Sequence, residues 1–194
     1  MTVTGRVLDP AGQPAAGVAV DVIGRARAPE VGSDVPASPY DLLGHGVTDG
    51  DGRYHVVTSR TSTASFYEVY VLAAGAGTGL NCAPINPDAT QPTAEVRLQR
   101  PRIIRGRLVD VNGQPAVGVE VHIQLYARGQ GDTDFVGLPW AGPLAGIPAW
   151  PKPITTDAQG RFAFAGIGRG LVYLQVRDPR FACQRFELAD NARN

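Results

Sequence analysis

Gly5-Arg6-Val7-Leu8-Asp9-Pro10-Ala11-Gly12-Gln13-Pro14-Ala15-Ala16-Gly17-Val18-Ala19-Val20 returns later in the chain as Gly106-Arg107-Leu108-Val109-Asp110-Val111-Asn112-Gly113-Gln114-Pro115-Ala116-Val117-Gly118-Val119-Glu120-Val121. Ten of the sixteen positions coincide. A second block follows in each half: Thr48-Asp49-Gly50-Asp51-Gly52-Arg53-Tyr54 and Thr156-Asp157-Ala158-Gln159-Gly160-Arg161-Phe162. The shift between copies grows from 101 (Gly5 to Gly106) to 108 (Thr48 to Thr156), so the second copy carries an insertion between its blocks. Self-similarity of this kind marks a duplication.

Each copy reads as β structure. Val3–Leu8 and Ile103–Leu108 are runs rich in β-branched residues that end at turn signals, and Val18–Val22 and Val119–Ile123 alternate apolar with other residues. Further strands are expected at Tyr54–Thr58, Tyr67–Leu72 and Ala94–Leu98, and at Phe162–Ala165, Leu171–Val176 and Phe181–Leu188. No window sustains a helical apolar period. In Asp-x-x-Gly, which occurs at Asp9, Asp49, Asp110 and Asp157, the carboxylate can accept hydrogen bonds from turn amides while the glycine supplies a positive φ. Pro14 and Pro115, just past two of these turns, suit a strand entrance or an edge.

The fold class expected is therefore all-β, two tandem β-sandwich domains, with copy one over 1–99 and copy two over 100–194. The junction Gln99-Arg100-Pro101-Arg102 is short enough to fix the angle between them. The composition agrees: 194 residues suit two domains of about 100, and 24 glycines with 16 prolines imply many turns. Eighteen basic and eighteen acidic residues cancel, which removes the global field that nucleic acid or an anionic membrane would require. Lys152 is the only lysine, a bias of the kind a GC-rich genome produces. Apolar runs fall far short of a membrane span. The start at Met1 enters a strand pattern at once, so no secretory signal is expected, and the tail after Leu188 reads as a polar domain edge.

The repeated "Gly-Arg-hydrophobic-hydrophobic-Asp-x-x-Gly-Gln-Pro-Ala-x-Gly-Val-x-Val", the "Thr-Asp-x-x-Gly-Arg-aromatic" block and the late Gly170-Leu171-Val172-Tyr173-Leu174-Gln175-Val176 resemble the carboxypeptidase regulatory-like domain family. The resemblance implies the Greek-key, transthyretin-like (prealbumin-like) sandwich in both halves. Gly146–Pro153 and Asp178–Ala182 resemble versions found in tandem in large planctomycete-type bacterial proteins. The family implies an accessory role, positioning a neighbouring domain or contacting proteins or surface polymers. Its motifs are turn and core residues, and a fold does not fix a function.

Active relatives of that fold imply residues that can be sought. An intradiol-dioxygenase iron site takes two Tyr and two His, yet the three histidines divide between the copies, His45 and His55 in one and His122 in the other. Hydroxyisourate hydrolases end in Tyr-Arg-Gly-Ser, whereas this chain ends Asp190-Asn191-Ala192-Arg193-Asn194. Serine-nucleophile elbows, Walker loops and His-Glu-x-x-His are absent from the sequence. Asp49-Gly50-Asp51-Gly52 looks like a calcium loop but lacks the later ligands, so a hairpin turn is the better reading. No enzyme, metal or cofactor is expected. Cys82 and Cys183 share the 101-residue shift, which places them at equivalent points of the two copies, as buried free thiols too far apart to bridge.

Two surfaces remain as candidates for contact. The inserted loop of copy two, about 128–153, carries Phe135, Trp140 and Trp150 on a proline-stiffened segment, which suits protein or glycan recognition. Alternatively the loop folds back, and its tryptophans cap the sandwich or fill the interface between domains. Arg100, Arg102 and Arg105, with Arg97 and Arg107 nearby, read as a solvated face or as a dock for an acidic partner. Nucleic acid is disfavoured because aromatic residues are not interleaved for stacking. The expected function is a non-catalytic accessory or structural module that spaces domains and contacts an unknown protein or the neighbouring domain of a longer chain. Its rival is a carbohydrate-binding module using the Trp140/Trp150 loop.

Overall fold

The computed structural model describes residues 1–27, 40–127, 146–169, 171–181 and 184–188. Every regular element among them is a strand. The first copy supplies β1 (Thr2–Leu8), β2 (Ala19–Ala26), β3 (Asp41–Val47), β4 (Arg53–Val57), β5 (Phe66–Ala74), β6 (Asn81–Ile85) and β7 (Thr93–Arg97). The second supplies β8 (Arg102–Arg107), β9 (Glu120–Ala127), β10 (Ile154–Thr155), β11 (Arg161–Ile167), β12 (Leu171–Arg177) and β13 (Gln184–Leu188).

Strands of the first copy form two sheets, ordered β4-β1-β7 and β3-β2-β5-β6. Among the described residues the second copy follows the same plan, save for a counterpart to β7, with β11-β8 and β10-β9-β12-β13. All pairings are antiparallel except β1 with β7, which run parallel. Between the two sheets of the first copy lies a core of Val3, Val7, Tyr54, Val56, Ala94 and Val96 against Val20, Val22, Val69, Val71 and Ala73. These are the alternate positions that the sequence pattern marks as inward. Gly5 is required there: a Cβ on it would collide with the Ala94 carbonyl and lie 2.6 Å from the Tyr54 hydroxyl, which donates to that carbonyl at 2.8 Å.

All four Asp-x-x-Gly segments are turns built alike. Oδ1 of Asp9, Asp49, Asp110 and Asp157 each accepts two backbone amides at 2.8–2.9 Å. Asp49 therefore spends its carboxylate on the amides of Asp51 and Arg53. The threonine that opens each second block has a role the sequence does not announce. Thr48 Oγ1 accepts from Val18 N and donates to Ala15 O, and Thr156 Oγ1 does the same with Val119 N and Ala116 O. Each hydroxyl thus clasps the two repeated blocks of its copy together.

The register corrects the expectation for the cysteines. Asp21 stands opposite Leu72, and its counterpart His122 stands opposite Gln175, so the shift between copies has become 103 at this point. Leu72 in turn pairs with Cys82, and Gln175 with Arg185. The position equivalent to Cys82 is Arg185, two residues beyond Cys183, because the connection before β12 differs in length from the one before β5. Cys183 itself lies outside the described residues.

Candidate functional site: the joint between the copies

In an antiparallel sheet one face usually meets the core and the other meets water. The sheet β3-β2-β5-β6 is apolar on both. Val20 and Val22 point into the core of the first copy, while Ile23 points the other way, with Tyr70, Leu72 and Cys82 from β5 and β6. This second face joins one continuous cluster with Ile104, Val121, Ile123, Phe162, Phe164, Val172 and Leu174 of the second copy. Ile147, Ala149 and Trp150 belong to the same cluster.

Trp150 is 5% exposed, and its indole N–H donates to the Ile123 carbonyl at 3.2 Å. A buried indole with its one donor satisfied offers no face to a sugar or a partner. Trp150 is thus withdrawn from the contact role expected of the inserted loop, because the segment after Gly146 folds inward and the ring fills the joint. Phe135 and Trp140 lie outside the described residues.

The polar centre of the joint is Asp21, a fully buried carboxylate. Its Oδ2 accepts the Ala149 amide at 2.7 Å, and its Oδ1 lies 2.5 Å from Nδ1 of His45, which is partly exposed. A buried carboxylate is tolerated only when its oxygens are bonded, and here one bond comes from each copy. At the rim, Glu68 gathers Tyr40, Tyr70 and Arg25: Tyr40 donates at 2.5 Å, Tyr70 at 3.0 Å, and the Arg25 Nε lies 2.8 Å away. Burial, with Glu68 alongside, pushes both tyrosine hydroxyls well above their ordinary pKa. Burial likewise pushes the Cys82 thiol up to about 12.

On the far side of the joint the backbones themselves meet. Leu80 N–H donates to Gly166 O at 3.1 Å, and a Cβ on Gly79 would fall 2.7 Å from Gly168 Cα. Beside this contact lies a shallow depression of about 460 Å³ lined by Pro10, Asn81, Arg97, Arg100 and Arg169. Of the arginines expected to meet an acidic partner, Arg100 is exposed at this depression, while Arg102 and Arg105 belong to β8.

The histidines do not converge. His45 serves Asp21, His55 is exposed on β4, and Nε2 of His122 sits 2.5 Å from Glu120 Oε1 on β9. Among the described residues no group of three or more His, Cys, Asp or Glu could hold a metal ion. No helix of the described residues is long and apolar enough to cross a membrane.

No family model and no curated protein matches the chain. Among solved structures, a streptococcal ancillary pilin aligns at 15% identity and TM-score 0.35, over 99% of this chain and 59% of that one. A minor pilin of Streptococcus agalactiae aligns at 13% identity and TM-score 0.35, over 98% and 91%. A 9R-lipoxygenase from Cyanothece aligns at 19% identity and TM-score 0.34, over 50% of this chain and 15% of that one. Superpositions of this quality establish neither a common fold nor a common role.

Proposed function

We propose that the chain is a non-catalytic architectural module in which two carboxypeptidase regulatory-like, transthyretin-like sandwich domains, 1–99 and 100–194, are locked into one rigid body that spaces and contacts other proteins. The family reading is supported by the repeated turn-and-clasp blocks and by the matching strand plans of the two copies. The observation that carries the mechanical reading is the joint. A spacer with a free hinge would keep the outer face of its first sheet polar and wet. Here that face is apolar, filled by Trp150, and pinned through Asp21.

Interfaces between domains of one chain are commonly polar and allow movement. A joint sharing one apolar cluster with a domain core suppresses that movement, since opening it would expose Ile23, Tyr70, Leu72 and Trp150 together. Calorimetric unfolding tests the reading. A rigid body of this kind melts in a single transition, and Trp150→Ala splits it into two. Two independent transitions in the unaltered chain would refute the proposal. The glycan alternative has lost Trp150 as a platform and rests on no described residue.

A further inference from the structure

The chain that leaves β7 is held to Gly79 by two backbone bonds, Gly79 N–H to Gln99 O at 2.8 Å and Gln99 N–H to Gly79 O at 3.0 Å. The next residue, Leu80, donates its N–H to Gly166 O of β11. Backbone from both copies thus fixes the walls of the depression of about 460 Å³ beside this contact. Three guanidinium groups line it, and all three are exposed. Arg97 comes from the end of β7, Arg100 from the junction and Arg169 from the bend after β11.

The strand register explains why two of them meet. Ile167 of β11 stands opposite Arg102 of β8 in an antiparallel pair. Two residues further along each chain, the same register brings Arg169 to Arg100. Like charges so placed repel. Arg97 is positioned separately. Its guanidinium donates to Pro10 O at 3.0 Å, one bond from a group that carries five N–H donors. Beneath it the buried Asn81 side chain donates to Arg97 O at 2.8 Å and accepts the Cys82 amide, which fixes the backbone from which Arg97 springs.

The acids close by are engaged elsewhere. Among the described residues that line the depression none is acidic. Oδ1 of Asp9, next to Pro10, accepts the amides of Ala11 and Gln13, and Glu95 stands in register with Arg6. A cavity of this volume is about 10 Å across, close to the screening length of about 8 Å at physiological salt. The three positive charges therefore feel one another, and a shared counter-ion relieves all of them.

We propose that this depression binds a multiply charged oxyanion, a phosphate or sulfate group, and that the anion bridges the two copies. Planar guanidinium forks match the oxygens of such groups and keep their charge at any physiological pH. A single carboxylate, with one charge, is the weaker fit. Arg97 and Asn81 belong to the first copy and Arg169 to the second, so the bound anion ties the joint on its far side as Asp21 ties it within. The site rests on the reading of the chain as one rigid body, since an open joint would part Arg169 from Arg97.

The test is titration of the 194-residue chain with inorganic phosphate, sulfate and acetate, followed by calorimetry, thermal unfolding and amide resonances. The expected result is saturable binding of phosphate or sulfate that weakens with added sodium chloride, raises the melting midpoint and shifts the Asn81 side-chain amide. Whichever of the two binds more tightly supports the site and names the ester it takes. Arg100→Ala and Arg169→Ala, both at exposed positions, each weaken binding by about tenfold, the equivalent of one hydrogen bond to a charged group. Arg105→Ala, on β8 away from the depression, leaves it unchanged. Equal binding of acetate, or a loss with Arg105→Ala and none with Arg100→Ala, overturns the proposal. If no anion binds while the chain melts as one unit, the site is refuted and the rigid module stands. Two melting transitions in a chain that still binds the anion would keep the site and refute the rigid module instead.

Discussion

Asp21 and Ala149, 128 residues apart, are tied by a 2.7 Å hydrogen bond from the Ala149 amide to Oδ2 of a fully buried carboxylate. Removing that carboxylate strands the amide and frees His45 at once. Asp21→Ala is expected to destabilise the chain by about 1–3 kcal/mol, the usual cost of leaving a buried polar group without its partner. Asp21→Asn, which keeps an acceptor in place, loses less. Urea midpoints of the two variants check both the size and the order.

Trp150→Ala removes the largest side chain from the joint and leaves a cavity among Ile23, Ile123 and their neighbours. A loss of about 3–5 kcal/mol is expected. With Trp140→Phe as background, the remaining indole reports alone: its emission is that of a buried ring, and acrylamide quenches it only after unfolding. Strong quenching in the native state would contradict that burial.

The turns separate two glycines that the sequence presents as near neighbours. Gly52 has φ of 71°, and a Cβ there would lie 2.7 Å from the Val7 carbonyl, while a Cβ on Gly50 meets nothing within 4 Å. Gly52→Ala is therefore expected to cost at least about 1–2 kcal/mol, and Gly50→Ala to be nearly silent. Thermal midpoints decide between them.

Alkaline pH weakens the fold in a direction set by burial. The Cys82 thiol titrates at about 12 when folded, against an ordinary value of 9.0, so the unfolded state loses its proton first. A group raised in this way contributes stability that is intact below about pH 9 and lost as the pH climbs toward 12. The buried Tyr40 and Tyr70 hydroxyls push the same way. Denaturation midpoints measured at pH 8 and pH 10.5 should fall with pH, and Cys82→Ala should flatten the fall. Alkylation of Cys82 in the native chain should be slow at pH 8 and become fast in urea.

What the sequence discloses follows from what patterns encode. The inward faces of β1, β2, β8 and β9 were legible because alternation is a local signal, and the four turns were legible because Asp and Gly have specific backbone roles there. Strand β3 was not legible: Asp41-Leu42-Leu43-Gly44-His45-Gly46-Val47 has two glycines, needed because a Cβ on Gly44 would lie 2.7 Å from the Val56 side chain. Asn81–Ile85 was missed as well, with Pro84 inside it on the edge of its sheet. The joint was only half legible. The run Asp21-Val22-Ile23 shows alternation but does not say that both faces are covered. That depends on Trp150, far along the chain, and on Gly79 meeting Gly168.

The two copies seal the outer faces of their larger sheets with different chemistry. Where the first copy turns Asp21 and Leu72 outward, the second turns His122 and Gln175 at the equivalent positions, and all four are buried. A side chain exchanged between the copies at these positions would meet surroundings built for another polarity, so the halves of this repeat are copies in sequence without being interchangeable parts.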